Sequence, residues 1–246
     1  RWDLFSAVGP VFVDTTSIYF HGRGVQGLGQ RGHSKDHRPD LKQMVVGAIL
    51  DGQGRPVCCE LWPGNVTDVK TLLPIVDRLR HRFSIRQVCI VADRGMISHK
   101  TITELEKEER GWQYILGARM RSQSEVRDEV LSRAGRYHVV HPKGTDADDP
   151  SPLKVKEVWV EQRRYVICVN EDQRKKDAAD RIAIVEALRE QLNRGDKSLV
   201  GNKGYRKYLK GSRSQFSIDE EKLAQDARFD GKWVLRTNTS LSSTDV

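Results

Sequence analysis

The 246-residue chain carries 42 Lys and Arg against 34 Asp and Glu, a formal net charge of +8, and is 37% hydrophobic. That length supports one large domain or two smaller ones with a real core, and the basic excess favours a polyanionic partner such as nucleic acid. No apolar run approaches the ~20 residues of a membrane helix, and no basic-then-apolar signal segment opens the chain, so a cytoplasmic protein with no membrane partner is expected.

Cys58, Cys59, Cys89 and Cys168 form no Cys-x-x-Cys pair, and the expectation is buried free thiols rather than zinc ligands or a disulfide framework. His33 and His37 are four residues apart but lie in a Gly- and Pro-bearing segment without cysteine. They read as polar loop residues near a phosphate backbone rather than as zinc ligands.

In chain order, Val11 to Phe20 is rich in β-branched and aromatic residues and reads as a strand, with Asp14 set among them. A carboxylate there needs a local hydrogen bond or a cation, because desolvating an unpartnered charge is expensive. The next twenty residues hold Gly22, Gly24, Gly27, Gly29 and Gly32 and cannot make a helix or a well-packed strand. Two readings stay open for them. One is a long flexible connection; the other is a basic flap (Arg23, Arg31, Lys35, Arg38) that closes on a polyanion.

Lys42 to Leu50 and Arg55 to Trp62 read as strands joined by the Asp51-Gly52-Gln53-Gly54 turn. Pro63-Gly64-Asn65 breaks the run, and Thr67 offers an N-cap to a helix reaching Arg82, with Pro74 marking a kink or a late start. Arg86 to Ala92 is a fourth strand ending on Asp93. Ser98 caps a second helix that buries Ile102 and Leu105, and Trp112 to Gly117 is a fifth strand. The order β-β-β-α-β-α-β predicts a mixed α/β fold.

Beyond residue 120 the character changes. Ser122 to Ala134 reads as a charged helix, and Lys154 to Val160 and Arg164 to Val169 as a hairpin turning at Glu161-Gln162-Arg163. A periodic helix is expected from Asp177 to Asn193 through Ile182, Val185, Leu188 and Leu192. Lys203 to Arg213 interleaves Lys and Arg with two Tyr, which suits either nucleic-acid backbone contact or a solvated surface ribbon. Gly231 to Asn238 is a last strand. The division expected is residues 1–120 for the first part of a core, 121–230 for an inserted subdomain, and 231–246 for a return strand of the core.

Two strand-borne carboxylates, Asp14 and Asp93, can hold Mg²⁺ or Mn²⁺, which prefer oxygen ligands. Two alone hold a metal pair poorly, and a third is normally needed. In a ribonuclease-H-like layout the first and fourth strands are neighbours, so the predicted order favours their meeting.

At this point the chain resembles the catalytic domain of DDE-type insertion-sequence transposases, in the branch with a β-rich insertion in a ribonuclease-H-like core. The matching segments are Val13-Asp14-Thr15-Thr16-Ser17, Gly32 to Asp40, and Pro63-Gly64-Asn65-Val66-Thr67-Asp68. Val91-Ala92-Asp93-Arg94-Gly95-Met96 and Tyr114-Ile115-Leu116-Gly117 follow in family order. The resemblance implies an α/β, ribonuclease-H-like mixed sheet with a β-rich or α+β insertion. It implies that Asp14 and Asp93 are the first two acids of a triad binding two Mg²⁺ (or Mn²⁺) ions, and that the substrates are transposon-end and target DNA. A homo-oligomer is expected of the complete protein. Lys35, Arg38 and Arg94 are candidate phosphate contacts by location.

The family's third acid is a Glu within a Tyr-x2-Arg-x3-Glu-x6-Lys pattern, and no such pattern occurs here. Tyr205-Arg206-Lys207-Tyr208 lacks the acid, and Glu186 lacks the preceding Tyr and Arg. The resemblance therefore implies a truncated, inactive fragment of a DNA transposase. The alternatives are another ribonuclease-H-like metal nuclease, such as a junction resolvase, and a non-catalytic DNA-binding remnant.

Overall fold

The structure is a computed structural model describing residues 9–34, 36–83, 88–107, 112–141, 152–194, 205–212 and 215–246. Its first elements are β1 (Pro10–Phe20), β2 (Lys42–Leu50), β3 (Pro56–Pro63), α1 (Leu72–Phe83), β4 (Cys89–Ala92), α2 (His99–Leu105) and β5 (Gln113–Gly117). There follow β6 (His138–Val140), β7 (Leu153–Val160), β8 (Arg163–Asn170), α3 (Glu171–Arg194), β9 (Leu209–Ser212), β10 (Gln215–Ile218), α4 (Glu220–Ala227) and β11 (Lys232–Thr237). The chain forms two compact units. One comprises residues 1–133, 157–166 and 234–246, the other residues 134–156 and 167–233.

In the first unit the strands hydrogen-bond in the order β3-β2-β1-β4-β5-β11-β8-β7. β1 pairs antiparallel with β2, and β2 with β3, whereas β1, β4 and β5 run parallel. β11 is antiparallel to β5, so the sheet is mixed. The alternation of β1 explains its two faces: Val11, Val13 and Thr15 are buried, while Phe12, Asp14, Thr16 and Ile18 are exposed. Val11 and Val13 join Ile49, Ile90, Leu116 and Tyr114 in one core, closed by Leu72, Ile75, Val76 and Leu79 of α1 and Ile102 and Leu105 of α2. Each large apolar side chain fully buried there contributes about 1.5–3 kcal/mol.

The helix after β3 takes the late start. Asp68–Lys70 is a separate 3₁₀ turn with no side-chain cap from Thr67, and α1 begins at Leu72. Pro74 then falls in the first turn, where a missing N–H breaks no intrahelical bond. The Asp51 turn is tied by its own carboxylate, which accepts from the Gln53 and Arg55 amides at 2.9 Å each. Ser98 does cap α2, accepting from Thr101 N at 3.1 Å.

The loop between β1 and β2 is latched rather than loose. Gln30 and Gln43 exchange backbone hydrogen bonds of 3.0 and 2.9 Å, and Gly64 N donates to Leu28 O. The buried Gln43 side chain donates to His33 O at 3.0 Å and Gly64 O at 2.9 Å. The two glycines allow this closeness: a Cβ on Gly32 would fall 1.9 Å from Gly64 O, and one on Gly64 would fall 1.9 Å from Gln43 O. A freely flexible connection is thus the wrong description for residues 28–34.

In the place of the expected charged helix at 122–134 stands a single π-helical turn, Glu125–Val130, burying Val126 and Val130. Among the cysteines, Cys89 and Cys168 are buried free thiols, but Cys58 is only half-buried and Cys59 is exposed on β3.

In the second unit β6 pairs antiparallel with the first residues of β7, and β9 with β10. α3 starts six residues before the predicted Asp177 and buries Val185 and Leu188, while Ile182 is 59% exposed despite its periodic place. Leu188 packs with Tyr208, Leu192, Leu209, Ile218 and Leu223. Where it is described, the Lys203–Arg213 stretch is anchored at one point: Tyr208 is buried, donating its hydroxyl to Asp226 of α4 at 2.9 Å, while Lys207, which ion-pairs with the same carboxylate, and Lys210 are exposed.

Candidate functional site

The acid pair comes from register. β1 and β4 are parallel, with Val13 paired to Ala92, and Asp14 and Asp93 are the next residues along the two strands. Neighbouring strands lie about 4.8 Å apart, so the two carboxylates issue side by side. Both residues are exposed. Asp14 Oδ1 accepts from the Thr15 amide at 2.7 Å, a local bond that steadies a charge a strand would otherwise disfavour. Its cross-strand partner on β2 is Ala48, whose methyl side chain leaves the acid uncrowded.

Asp93 directly follows β4 and opens a 3₁₀ turn, Arg94–Met96, whose Met96 is sunk in the core. Three further contacts fix that turn. Met96 N donates back to Asp93 O at 3.0 Å. Arg119, just beyond β5, donates from Nε to Arg94 O at 3.1 Å and from its terminal nitrogen to Gly95 O at 3.4 Å. Gly117 sits so close that a Cβ there would lie 2.8 Å from Arg94 N. A second turn, that of Asp68–Lys70, packs on the first. A Cβ on Gly95 would meet Asp68 Oδ2 at 3.7 Å and Asp93 Oδ2 at 3.9 Å, which brings the Asp68 carboxylate into the neighbourhood of Asp93.

The structure thus brings together Asp14, Asp93 and Arg94. Arg38 stands in the latched loop, exposed, in a two-pronged pair with Asp40 at 3.0 and 2.9 Å. The pairing raises the Arg38 pKa and lowers that of Asp40, so the guanidinium's charge is partly answered within the chain. Lys35 lies outside the described residues. Glu186 lies on α3, in the other unit.

Sequence reasoning missed Arg119, Arg121, Gly117 and Asp68 as parts of this neighbourhood. Asp68 stood inside a quoted motif and Gly117 ended another. Arg119 left no signal, since its contact lies 25 residues back along the chain.

The donor set suits a hard cation, because carboxylate oxygens are what Mg²⁺ and Mn²⁺ prefer and one or two carboxylates plus substrate phosphate often suffice for Mg²⁺. Among the described residues no group of three or more His, Cys, Asp or Glu side chains is placed to hold a metal ion. A cavity of about 1020 Å³ lies elsewhere in the first unit, between α2, the π turn and β8, and its acids are engaged. Glu125 accepts from Arg163 and Tyr165 at 2.7 Å each, and Glu106 from Arg236 at 2.8 Å and from Tyr114.

Among solved structures, the cryo-EM structure of a piggyBac transposase synaptic complex with hairpin DNA is similar at 16% identity and a TM-score of 0.35, over 61% of this chain. The chain spans 30% of the length of that protein. No curated protein sequence matches the chain. The model of the transposase DDE domain family matches residues 9–239, nearly the full length. By that match the chain belongs to the transposase DDE domain family.

Proposed function

We propose that this chain is the ribonuclease-H-like part of an insertion-sequence transposase, and that Asp14 and Asp93 are two of its three metal-binding acids. The observation that carries the reading is the Val13–Ala92 register, which delivers both carboxylates at one level of two parallel strands. The strand order β3-β2-β1-β4-β5 supports the ribonuclease-H-like assignment.

Two Mg²⁺ or Mn²⁺ ions, when bound, would activate the attacking oxygen and offset charge on the leaving one in an in-line displacement at phosphorus. The chain's own share is positioning. β1 and β4 hold the acids at a fixed separation, and the Arg94–Met96 turn fixes the end of β4. Arg94, and in a closed complex Arg38 and Lys35, would neutralise backbone phosphates. The substrates are element-end DNA, cut by water to free a 3′-hydroxyl, and target DNA, which that hydroxyl then attacks. Work of this kind belongs with the cytoplasmic chromosome and to an oligomer that pairs two ends.

A second reading, DNA binding without cleavage, is favoured by one observation: among the described residues no group of three His, Cys, Asp or Glu side chains is placed to hold a metal ion, although Asp68 stands near Asp93. Plasmid nicking and duplex-DNA binding, measured together in Mg²⁺ and Mn²⁺, separate the two. Nicking that disappears in Asp14→Asn and in Asp93→Asn supports catalysis. Salt-sensitive binding without nicking supports the second reading, and the absence of both overturns the DNA assignment.

A further inference from the structure

A small cavity of about 280 Å³ adjoins the turn that follows Asp93, lined by Arg94, Gly95, Arg119, Met120, Arg121 and Ser122. Three of its six lining residues are arginines and none is acidic. Its volume lies just below the roughly 300–1,000 Å³ of pockets built for whole small molecules, so it suits a compact anion rather than a nucleobase. Among the described residues Arg94 and Arg119 have no carboxylate partner. Arg119 instead spends two donors on the Arg94 and Gly95 carbonyls, which leaves part of its five-donor fork for something else. The like charges of Arg94 and Arg119 repel one another, and a bound anion relieves that repulsion.

Resting on the DNA reading above, we infer that this cavity is a phosphate subsite, in which Arg94, Arg119 and Arg121 hold a backbone phosphate of the DNA beside Asp93. Planar guanidinium forks match tetrahedral phosphate oxygens with paired, charge-assisted hydrogen bonds. Arg119 has a second duty. Because it also grips the turn that follows Asp93, occupation of the cavity and placement of the Asp93 carboxylate become linked. Arg94 and Arg121 are binding residues; Arg119 is both a binding and a positioning residue.

The chemistry is shared by free phosphate and DNA, so the test has two arms. In the first, duplex-DNA affinity is measured against salt for the wild type, Arg94→Gln, Arg121→Gln, Arg119→Gln and Arg119→Lys, with Arg80→Gln on α1 as control. Each cavity variant is expected to bind several-fold more weakly and to flatten the log–log salt slope by about 0.9 per lost phosphate contact; the control is expected to do neither. In the second arm, inorganic phosphate is titrated while the arginine Nε–H resonances are followed by NMR. Saturable shifts are expected in the wild type and not in Arg121→Gln, which leaves the turn's hydrogen bonds intact. Phosphate binding without DNA binding keeps the subsite and removes the DNA reading. DNA binding with an unchanged slope in all the cavity variants, together with no phosphate-dependent shift, overturns the subsite and leaves the DNA reading standing.

Discussion

Gly117 abuts the backbone of Arg94: a Cβ on Gly117 would lie 2.8 Å from Arg94 N and 3.4 Å from its Cα. The end of β5 thereby sets where the turn after Asp93 can sit. Gly117→Ala is predicted to push that turn outward at a cost of about 1–3 kcal/mol, as overpacking elsewhere does. Gly95→Ala is the comparison, because its Cβ would meet the Asp68 and Asp93 carboxylates only at ordinary contact distances of 3.7 and 3.9 Å. Urea unfolding of the two variants checks this; equal losses would contradict the close-approach argument.

Gln43 links three segments from a buried position. Truncation to Ala leaves His33 O and Gly64 O without its amide, and an abandoned buried polar group costs about 1–3 kcal/mol. The predicted sign is local as well as global: amides of residues 28–34 exchange faster in Gln43→Ala while those of α1 shift little. Unchanged exchange in the loop would show that the latch lies elsewhere.

In the second unit Arg181 meets Asp230 through two bonds of 2.5 Å, with Asp230 only 6% exposed. Removing the cation alone, in Arg181→Met, strands a buried carboxylate and is predicted to destabilise by about 3–5 kcal/mol. Arg181→Met combined with Asp230→Leu should recover a good part of that loss. A thermal-denaturation cycle over the four proteins gives the coupling, and additive effects would refute it.

Burial pushes the Tyr114 hydroxyl up to about 12, its hydrogen bond to Glu106 adding to the shift, and burial alone pushes the Cys89 thiol up to about 11. Unfolded, these groups titrate near 10 and 9. Between those values and the folded ones, the unfolded chain releases protons that the folded chain keeps, so stability falls as pH rises. The stabilisation is intact below pH 9 and is lost progressively toward pH 12. Tyr114→Phe should flatten the upper part of that decline and Cys89→Ala the lower. An alkaline urea series indifferent to both substitutions would contradict this account.

The core elements and the two aspartates were legible because both depend on local pattern. β-branched alternation marks β1 and β2, and an Asp interrupting or ending such a run stands out whatever surrounds it. The order of elements then made the meeting of Asp14 and Asp93 foreseeable. What pattern could not show was contact across long separations. Arg119 looked like any charged residue after a strand until its guanidinium was seen on the Arg94 and Gly95 carbonyls. The anchoring of the basic, tyrosine-bearing stretch before β9 left no local signal because its partner Asp226 lies 18 residues beyond Tyr208. Ile182 keeps helical period on α3 yet stays exposed, since period gives a face and not what covers it.

Whether Asp14 and Asp93 act as one metal-binding pair is tested by Mn²⁺ titration followed by electron paramagnetic resonance, with and without duplex DNA. Mn²⁺ binding is predicted to tighten when DNA supplies phosphate oxygens and to be lost in Asp14→Asn and in Asp93→Asn alike. Binding retained at wild-type strength in the doubly substituted protein would contradict the pairing.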